Sequence, residues 1–171
     1  MPLRPPRRDV RIPKLISRRG IGALLVAVLV SGCGSAVRYR IPGDRLDRIR
    51  LLPPVAGTVS SGFGMRAGGR HEGIDILAPA GAEVRAASQG RAGYSGSGKR
   101  GYGNAVILDH GDGITTLYGH LATIRVQSGE TVPAGAVIGT TGRSGNATTH
   151  HLHFELRVDG EAVDPVPYLN R

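Results

Sequence analysis

The chain has 171 residues, which is enough for one domain with a core of its own. Its formal net charge is +9, but residues 1–32 carry seven Lys or Arg and one Asp and so contribute +6; the remaining fifteen Lys or Arg and twelve Asp or Glu contribute only +3. Tryptophan is absent, and the other aromatics are five Tyr and two Phe. This composition argues against a surface that binds nucleic acid by stacking bases on aromatic side chains.

Residues 1–32 have the pattern of a bacterial export signal. Seven Lys or Arg precede an apolar run over 21–30, which is short for a bilayer span but typical of the central region of a signal peptide. The run ends in Val30-Ser31-Gly32-Cys33, and small residues directly before a cysteine resemble a lipoprotein processing site. The resemblance implies cleavage before Cys33, acylation of its thiol, and a lipid anchor in a membrane of the cell envelope.

Cys33 is the only cysteine, so no disulfide can form within the chain. A transmembrane anchor with an incidental cysteine is the alternative, and the position of Cys33 directly after small residues disfavours it. Ser17-Arg18-Arg19 resembles a twin-arginine signal, but arginine is frequent throughout this segment. The export route and the choice between inner and outer membrane therefore stay open.

Residues 33–52 are predicted to be the acylated cysteine and a short linker, followed by one compact domain over 53–171. Pro42-Gly43 interrupts the linker, and the charged stretch over 44–51 is compatible with a short helix. The nineteen residues 34–52 reach at most about 60 Å when fully extended. An anchored domain would therefore stay close to its membrane.

The compact domain is predicted to be all-β, with an antiparallel sheet or sandwich. Of the 27 glycines, 22 lie between Gly57 and Gly160, where they separate short runs of Val, Ile, Leu and Thr. Gly73 and Pro79 argue against a helix around Asp75, so a loop carrying His71 is predicted to enter a strand carrying Asp75. Further strands are predicted over 83–87, 90–94, 105–109, 114–118 and 149–158, and a turn is predicted over 132–135 before residues 137–139.

His151 and His153 lie two residues apart in the last predicted strand. Their imidazoles should face one side of the sheet while Leu152 and Phe154 face the other. Two imidazoles on one strand make a poor core but suit a metal site. Periodicity alone does not choose the remaining ligands. The other candidates are His71, Asp75 and His120, with His110 and His150 in reserve.

Three motifs in a fixed order carry a resemblance to a known family. They are His71-xxx-Asp75, Leu117-Tyr118-Gly119-His120-Leu121 and His151-Leu152-His153-Phe154-Glu155. With the segments over 101–104, 142–145 and 163–165, they resemble the lysostaphin-like (LytM-type) zinc endopeptidases of peptidoglycan from about 57 to 168. The resemblance implies that family's fold, with antiparallel β-strands around a metallopeptidase site.

Carried over position by position, the resemblance implies that His71, Asp75 and His153 bind Zn²⁺. His120 and His151 would form a catalytic pair that does not bind the metal. A zinc ion would polarise the scissile carbonyl and lower the pKa of bound water toward 7. One histidine of the pair would act as general base, and the other would stabilise the oxyanion or serve the leaving amine.

Several of these residues have simpler structural explanations. His110 adjoins a Gly-Asp-Gly turn and is expected to be a turn residue, whereas His150 is expected on the rim or surface. His120, taken without the motif, could pack in the core. Strand alternation favours His151 over His150 as the partner of the metal site. Glu72, next to a candidate ligand, is an alternative base to which the resemblance gives no role.

The expected function is zinc-dependent hydrolysis of peptide cross-links or stem peptides in bacterial peptidoglycan, by a monomer anchored through Cys33. Two alternatives stay open. The first is a non-catalytic regulator that binds and activates another wall hydrolase, which would be expected to lack the metal ligands. The second is a lipoprotein with a structural zinc, for which a closed site needs four protein ligands. A regulatory protein partner is thus an open alternative, and nucleic acid is not expected as a partner.

Overall fold

The computed structural model describes residues 43–46, 49–99 and 101–169. These residues form thirteen short strands and two helical turns, which confirms the predicted all-β fold. The helix α1 spans Gly43–Leu46, and a 3-10 turn spans Val166–Tyr168. Neither described helix has the length and hydrophobicity that crossing a bilayer requires. The strands are β1 (Thr58–Ser61), β2 (Gly64–Arg66), β3 (Gly69–His71), β4 (Ile74–Leu77), β5 (Glu83–Arg85), β6 (Gly90–Lys99), β7 (Gly103–Asp109), β8 (Ile114–Gly119), β9 (Leu121–Ile124), β10 (Thr131–Val132), β11 (Val137–Thr141), β12 (His151–Val158) and β13 (Glu161–Val163).

One eight-stranded sheet dominates the described part of the chain. Its order is β1-β4-β12-β8-β7-β6-β10, with β13 pairing the end of β12, and all of its neighbouring strands are antiparallel. A three-stranded sheet, β5-β11-β9, and the hairpin β2-β3 complete the described strands. Strand β12 therefore has paired neighbours on both sides, which constrains the side chains that it carries.

The two faces of β12 have different chemistry. Leu152, Phe154 and Leu156 are fully buried in the hydrophobic core, where Phe154 packs against the ring of Tyr118. The intervening residues of β12 are polar or charged and face the other side of the sheet. Apolar burial on this scale stabilises the fold by roughly 1.5–3 kcal/mol for each large side chain. The core face thereby fixes the register of the opposite, polar face.

The predicted strands are found, although several bounds differ. Strand β6 continues to Lys99, five residues beyond the predicted end, because its glycine- and serine-rich half still pairs with β7 across register shifts. His71, predicted on a loop, is the last residue of β3 and pairs with Gly64 across the β2-β3 hairpin. That hairpin is too short and too polar to show a strand pattern in the sequence.

The described part of the predicted linker packs on the domain. Leu46 and Leu51 are only 4% and 2% exposed and belong to the hydrophobic core, and Leu51 forms a bridge with Leu169. Arg45 donates to both carboxylate oxygens of Asp159. Helix α1 covers only the start of the helix predicted over 44–51. The predicted signal segment and Cys33 lie outside the described residues.

Candidate metal and catalytic site

Strand pairing brings the candidate ligands together. His153 of β12 lies directly opposite Asp75 of β4 on one side and Gly119 of β8 on the other. Opposed residues in an antiparallel pair have their side chains about 5 Å apart on the same face. Gly119 leaves room on the third strand, where an added Cβ would lie 3.5 Å from the Cβ of His153. His71 reaches the same place from the end of the β2-β3 hairpin.

Three atoms form a compact triangle at this point. His71 Nε2 lies 3.2 Å from Asp75 Oδ1 and 3.1 Å from His153 Nδ1, and His153 Nδ1 lies 2.9 Å from Asp75 Oδ1. Among the described residues, these three side chains form a group able to hold a metal ion. Ligands at tetrahedral zinc distances stand about 3.3 Å apart. The triangle therefore has nearly the size that a zinc ion needs.

The outer nitrogens of both histidines are engaged by acceptors. His71 Nδ1 donates to the Gly62 carbonyl oxygen at 2.7 Å, and His153 Nε2 donates to Glu155 Oε1 at 2.9 Å. In a neutral imidazole the other nitrogen then carries the lone pair. Two lone pairs and one carboxylate oxygen thus converge, an arrangement that a bound cation satisfies. The donor set, two imidazoles and a carboxylate, fits Zn²⁺.

The electrostatics of the metal-free triangle also favour positive charge. Burial alone would raise the pKa of Asp75, but the hydrogen bond from His153 and the neighbouring histidines outweigh it and lower the pKa to about 2. Burial alone would lower the pKa of His153, but its hydrogen bonds to Asp75 and Glu155 raise it. The second carboxylate oxygen of Asp75 faces Arg66 at 3.5 Å, which leaves Oδ1 for the triangle.

The two other predicted histidines flank the triangle. The ring of His120 lies 4.8 Å from that of His151 and 5.7 Å from that of His153, measured between centroids. His151 Nε2 lies 3.6 Å from Asp75 Oδ1, so His151 faces the same side as His153, as alternation predicts. His151 Nδ1 donates to the Thr149 carbonyl oxygen at 3.0 Å. Neither ring forms part of the triangle.

His120 is held as a neutral acceptor. Its Nδ1 donates to the Ser144 carbonyl oxygen at 2.8 Å, which leaves Nε2 with a lone pair. Burial lowers its pKa and outweighs the opposing effect of that hydrogen bond. Its backbone adopts φ +62°, an uncommon conformation for a residue other than glycine. Its amide donates to the Tyr102 carbonyl oxygen at 2.8 Å, which ties this conformation to a neighbouring loop.

Two glycine-containing segments, 101–104 and 142–146, interlock beside His120. Asn146 N donates to the Gly101 carbonyl oxygen at 2.9 Å, and Asn104 N donates to Ser144 Oγ at 2.9 Å. A Cβ at Gly103 would lie 2.4 Å from Gly145 N, so the two segments pack too closely for a side chain at position 103. Each segment gives one carbonyl to His120. In the sequence these segments were only part of the family resemblance. In the structure they hold the backbone and the ring of His120 in place.

A buried polar network behind His153 escaped the sequence analysis. Glu155 is 0% exposed, and its Oε1 accepts from Tyr102 OH at 2.6 Å as well as from His153. Its Oε2 accepts from Arg157 Nε at 2.6 Å, and Arg157 also donates to Glu72. Glu72 therefore points to Arg157 rather than to the triangle. The available signal was the period of two, which places residues 155 and 157 on the face of His151 and His153.

The reserve histidines lie apart from the triangle. His110 Nδ1 donates to the Gln89 carbonyl oxygen at 2.7 Å, and its Nε2 lies 2.8 Å from Thr116 Oγ1. Burial lowers the pKa of His110. His150 is exposed, one residue before β12. These positions match the structural explanations that the sequence favoured for both residues.

The triangle and its flanking histidines lie in an open groove. The groove is also lined by Arg66 from the β2-β3 hairpin, by Gly101 and Tyr102, and by the loop over 146–148. An extended polymer could reach the triangle along such a surface, whereas a closed structural metal site would exclude it. Fold and site together define a class: an antiparallel β domain with a candidate mononuclear metal site open to solvent.

Comparison with known sequences gives the family. Residues 69–165 match peptidase family M23, and the chain belongs to that family. This confirms the resemblance to the lysostaphin-like peptidases.

Among curated relatives, the chain is 43% identical over 118 residues to outer membrane antigenic lipoprotein B of Haemophilus influenzae. It is 42% identical over 122 residues to DD-carboxypeptidase/endopeptidase Mpg of Neisseria meningitidis, and 40% identical over 116 residues to murein hydrolase activator NlpD of Escherichia coli. These matches cover 69%, 68% and 68% of this chain but only 29%, 28% and 30% of the relatives. The chain thus spans less than a third of their length.

Solved structures share the fold. Lysostaphin from Staphylococcus simulans superposes with a TM-score of 0.62 at 33% identity, over 66% of this chain and 48% of lysostaphin. A zinc containing peptidase from Vibrio cholerae superposes with a TM-score of 0.60 at 32% identity, over 67% of this chain and 37% of that one. At these identities the similarity extends beyond the fold to the sequence of the domain.

Proposed function

We propose that this protein is a zinc-dependent endopeptidase that hydrolyses peptide cross-links or stem peptides of bacterial peptidoglycan. The observation that carries the proposal is the convergence of His71 Nε2, Asp75 Oδ1 and His153 Nδ1 within 3.2 Å of one another at an open groove. The similarity to Mpg, named a DD-carboxypeptidase/endopeptidase, and to lysostaphin, described as an antimicrobial peptidase, supports this function.

In this proposal His71, Asp75 and His153 hold the zinc, and His120 and His151 do the proton chemistry. Bound zinc supplies a Lewis acid and makes a water molecule acidic enough to ionise near neutral pH. His120 Nε2 accepts the proton of the attacking water, because burial keeps this ring neutral and the bond from Nδ1 to Ser144 leaves the lone pair on Nε2.

His151 takes the second role. Its Nδ1 is bound to the Thr149 carbonyl, so its Nε2 faces the groove beside Asp75. In its imidazolium form, His151 donates from Nε2 a hydrogen bond to the developing oxyanion or a proton to the leaving amine. The ring then regains a proton from solvent while His120 releases the proton it took from water. The two rings lie 4.8 Å apart between centroids, which lets proton uptake and proton delivery occur at separate atoms.

The proposed location is the cell envelope, with the domain anchored through acylated Cys33. The lipoprotein processing pattern at 30–33 motivates this, and the similarity to a protein named outer membrane antigenic lipoprotein B supports it. Each buried methylene contributes about 0.8 kcal/mol to membrane binding, so two or more acyl chains would hold the protein firmly.

The second candidate is an activator of a separate wall hydrolase. The relative NlpD is named a murein hydrolase activator, and it is 40% identical to this chain. An activator needs a binding surface but no metal chemistry. The triangle, with both outer imidazole nitrogens already engaged, and two further histidines beside it favour the enzyme.

Digestion of purified sacculi by the zinc-loaded protein separates the two functions. The enzyme is expected to release peptide fragments that mass spectrometry identifies, and fragment release should stop with a chelator. An activator would release nothing alone but would accelerate digestion by a separate hydrolase.

Substitution of the proposed ligands tests the metal assignment. His71→Ala, Asp75→Ala and His153→Ala should each lower zinc content well below one ion per chain and abolish fragment release. Full zinc occupancy in Asp75→Ala would refute the ligand assignment.

A further inference from the structure

Glu155 is a buried charge on the strand that carries His153. Its side chain is 0% exposed, as are the apolar side chains of Phe154 and Leu156 on the opposite, core face of β12. Burying a carboxylate is expensive unless donors surround it, and replacing a buried ion pair by apolar side chains is often neutral or stabilising. A carboxylate retained here therefore calls for an explanation other than stability.

Both carboxylate oxygens of Glu155 accept hydrogen bonds from neighbouring side chains. Oε1 accepts from His153 Nε2 at 2.9 Å and from Tyr102 OH at 2.6 Å, and Oε2 accepts from Arg157 Nε at 2.6 Å. Three donors from three different side chains therefore surround the buried carboxylate. Arg157 is itself fixed by Glu72 and by the Gly160 carbonyl oxygen at 3.0 Å.

The backbone makes room for this carboxylate. A Cβ on Gly73 would lie 2.8 Å from the Cγ of Glu155 and 2.3 Å from the Phe154 carbonyl oxygen. Gly73 stands between the candidate ligands His71 and Asp75. The segment that supplies two corners of the triangle is thus shaped around the side chain that contacts the third.

The contact with Glu155 decides which nitrogen of His153 carries the proton. With Nε2–H bound to the carboxylate, Nδ1 presents a lone pair to the triangle. Without that acceptor, the proton can sit on Nδ1 and donate to Asp75 Oδ1, which is 2.9 Å away. That hydrogen bond would occupy two of the three ligand atoms at once and compete with the metal.

We infer that Glu155 is a positioning residue of the metal site, which holds His153 with its Nδ1 lone pair toward the triangle and is itself held by Tyr102 and Arg157. The inference rests on the proposed function, because it assigns Glu155 to the zinc site of that enzyme. Partners of this kind behind a metal-binding histidine typically change metal affinity by about 10- to 100-fold.

Glu155→Gln is the decisive substitution because it keeps the shape and removes the second acceptor. The amide has one oxygen, which the Arg157 guanidinium will take, so the amide NH₂ is left to face His153. The NH₂ can only donate, and it will force the His153 proton onto Nδ1. The expected result is a switch of the His153 tautomer and a loss of zinc affinity of about 10- to 100-fold.

The chain offers a matched control in Glu83→Gln. Glu83 also stands two residues before an arginine on a strand and binds it, but both side chains are 49% exposed. Zinc affinity measured by competition with chelators should be unchanged in Glu83→Gln. The tautomer is measured in metal-free protein by ¹⁵N-edited NMR of the imidazoles, at a pH high enough for the ring of His153 to be neutral. Wild-type affinity together with an Nε2–H tautomer in Glu155→Gln would overturn the inference.

Tyr102→Phe keeps the test decisive if Glu155→Gln fails to fold. It removes one donor from Oε1 and retains the ring, so it should weaken zinc binding less than Glu155→Gln and shift the Nε2–H resonance of His153. An unchanged affinity and resonance would overturn the network. If wild-type protein binds no zinc, the proposed function fails, while the His153 tautomer still tests the positioning by Glu155.

Discussion

Gly145→Ala should inactivate the protein without touching a catalytic side chain. Gly145 has φ +67°, and an added Cβ would lie 2.4 Å from the Gly101 carbonyl oxygen and 2.5 Å from Gly103 N. The two segments that meet here supply the carbonyl oxygens of Tyr102 and Ser144, which accept hydrogen bonds from His120. A side chain at position 145 must therefore separate the segments that hold the proposed general base.

The structure sets the size of the effect. Ordinary contact begins at 3.4 Å, so relief of a 2.4 Å approach requires a shift of 3.4 − 2.4 = 1.0 Å. Misplacement of a catalytic group by about 1 Å reduces turnover by about 100-fold, or about 2.7 kcal/mol in the activation free energy. The left-handed backbone adds about 1–2 kcal/mol of strain to the folded state. The three proposed ligands lie outside these segments, so zinc binding should weaken no more than it does in Tyr102→Phe, which loses the bond to Glu155 that links these segments to the triangle.

The assay compares zinc content, melting temperature and fragment release from sacculi in Gly145→Ala and Gly111→Ala. Gly111 has φ +84°, and a Cβ there would meet nothing within 4 Å, so Gly111→Ala introduces the backbone strain alone. Both variants should lose some stability, and only Gly145→Ala should lose turnover. Equal turnover in the two variants at saturating zinc would refute the positioning of His120 by these segments.

Three other predictions use separate measurements. His120→Ala and His151→Ala should each keep about one zinc per chain and lose about 100- to 10,000-fold in sacculus hydrolysis, whereas His150→Ala should match wild type; an inactive His150→Ala beside an active His151→Ala would place the strand register one residue off. Cys33→Ser should lose the acyl mass shift and leave the membrane fraction, and an unchanged fraction would contradict lipidation. Burial holds the pKa of His110 below the usual value of about 6.5. The unfolded state therefore binds more protons, and metal-free protein should lose stability as pH falls below that value. In thermal melts this loss should be smaller for His110→Gln, and equal losses in the two proteins would show that His110 does not contribute.

The sequence predicted the part of the site that lies on a single strand, β12. Alternation along β12 placed His151 and His153 on one face and Leu152 and Phe154 on the other, and the structure has this arrangement. The partner of His153 could not be predicted in the same way, because which strands pair depends on the whole chain. The resemblance supplied Asp75, and the β4-β12 register then accounts for it physically.

Other features were missed because their signals are not local. In the sequence, Glu155 looks like an ordinary exposed position of an alternating strand. Its burial depends on hydrogen bonds from Tyr102, which is distant in sequence, and from Arg157, which lies on the same face of the strand. Leu46 and Leu51 were read as linker because a charged, proline-interrupted segment gives no amphipathic pattern. Their burial depends on the domain surface on which they pack.

The central position of β12 explains how one strand can serve both core and site. A slip of one residue would carry Leu152 and Phe154 into the groove and His151 and His153 into the core, so the same pairing that fixes the hydrophobic face fixes the imidazoles. β4 and β8 pair with His153 simultaneously, which prevents slippage from either side. Walls of the groove, by contrast, come from Arg66 of the β2-β3 hairpin and from the loop over 146–148. Substitutions in these walls should therefore change which peptide is bound and leave zinc in place, whereas substitutions in the core face of β12 should change zinc binding and stability together.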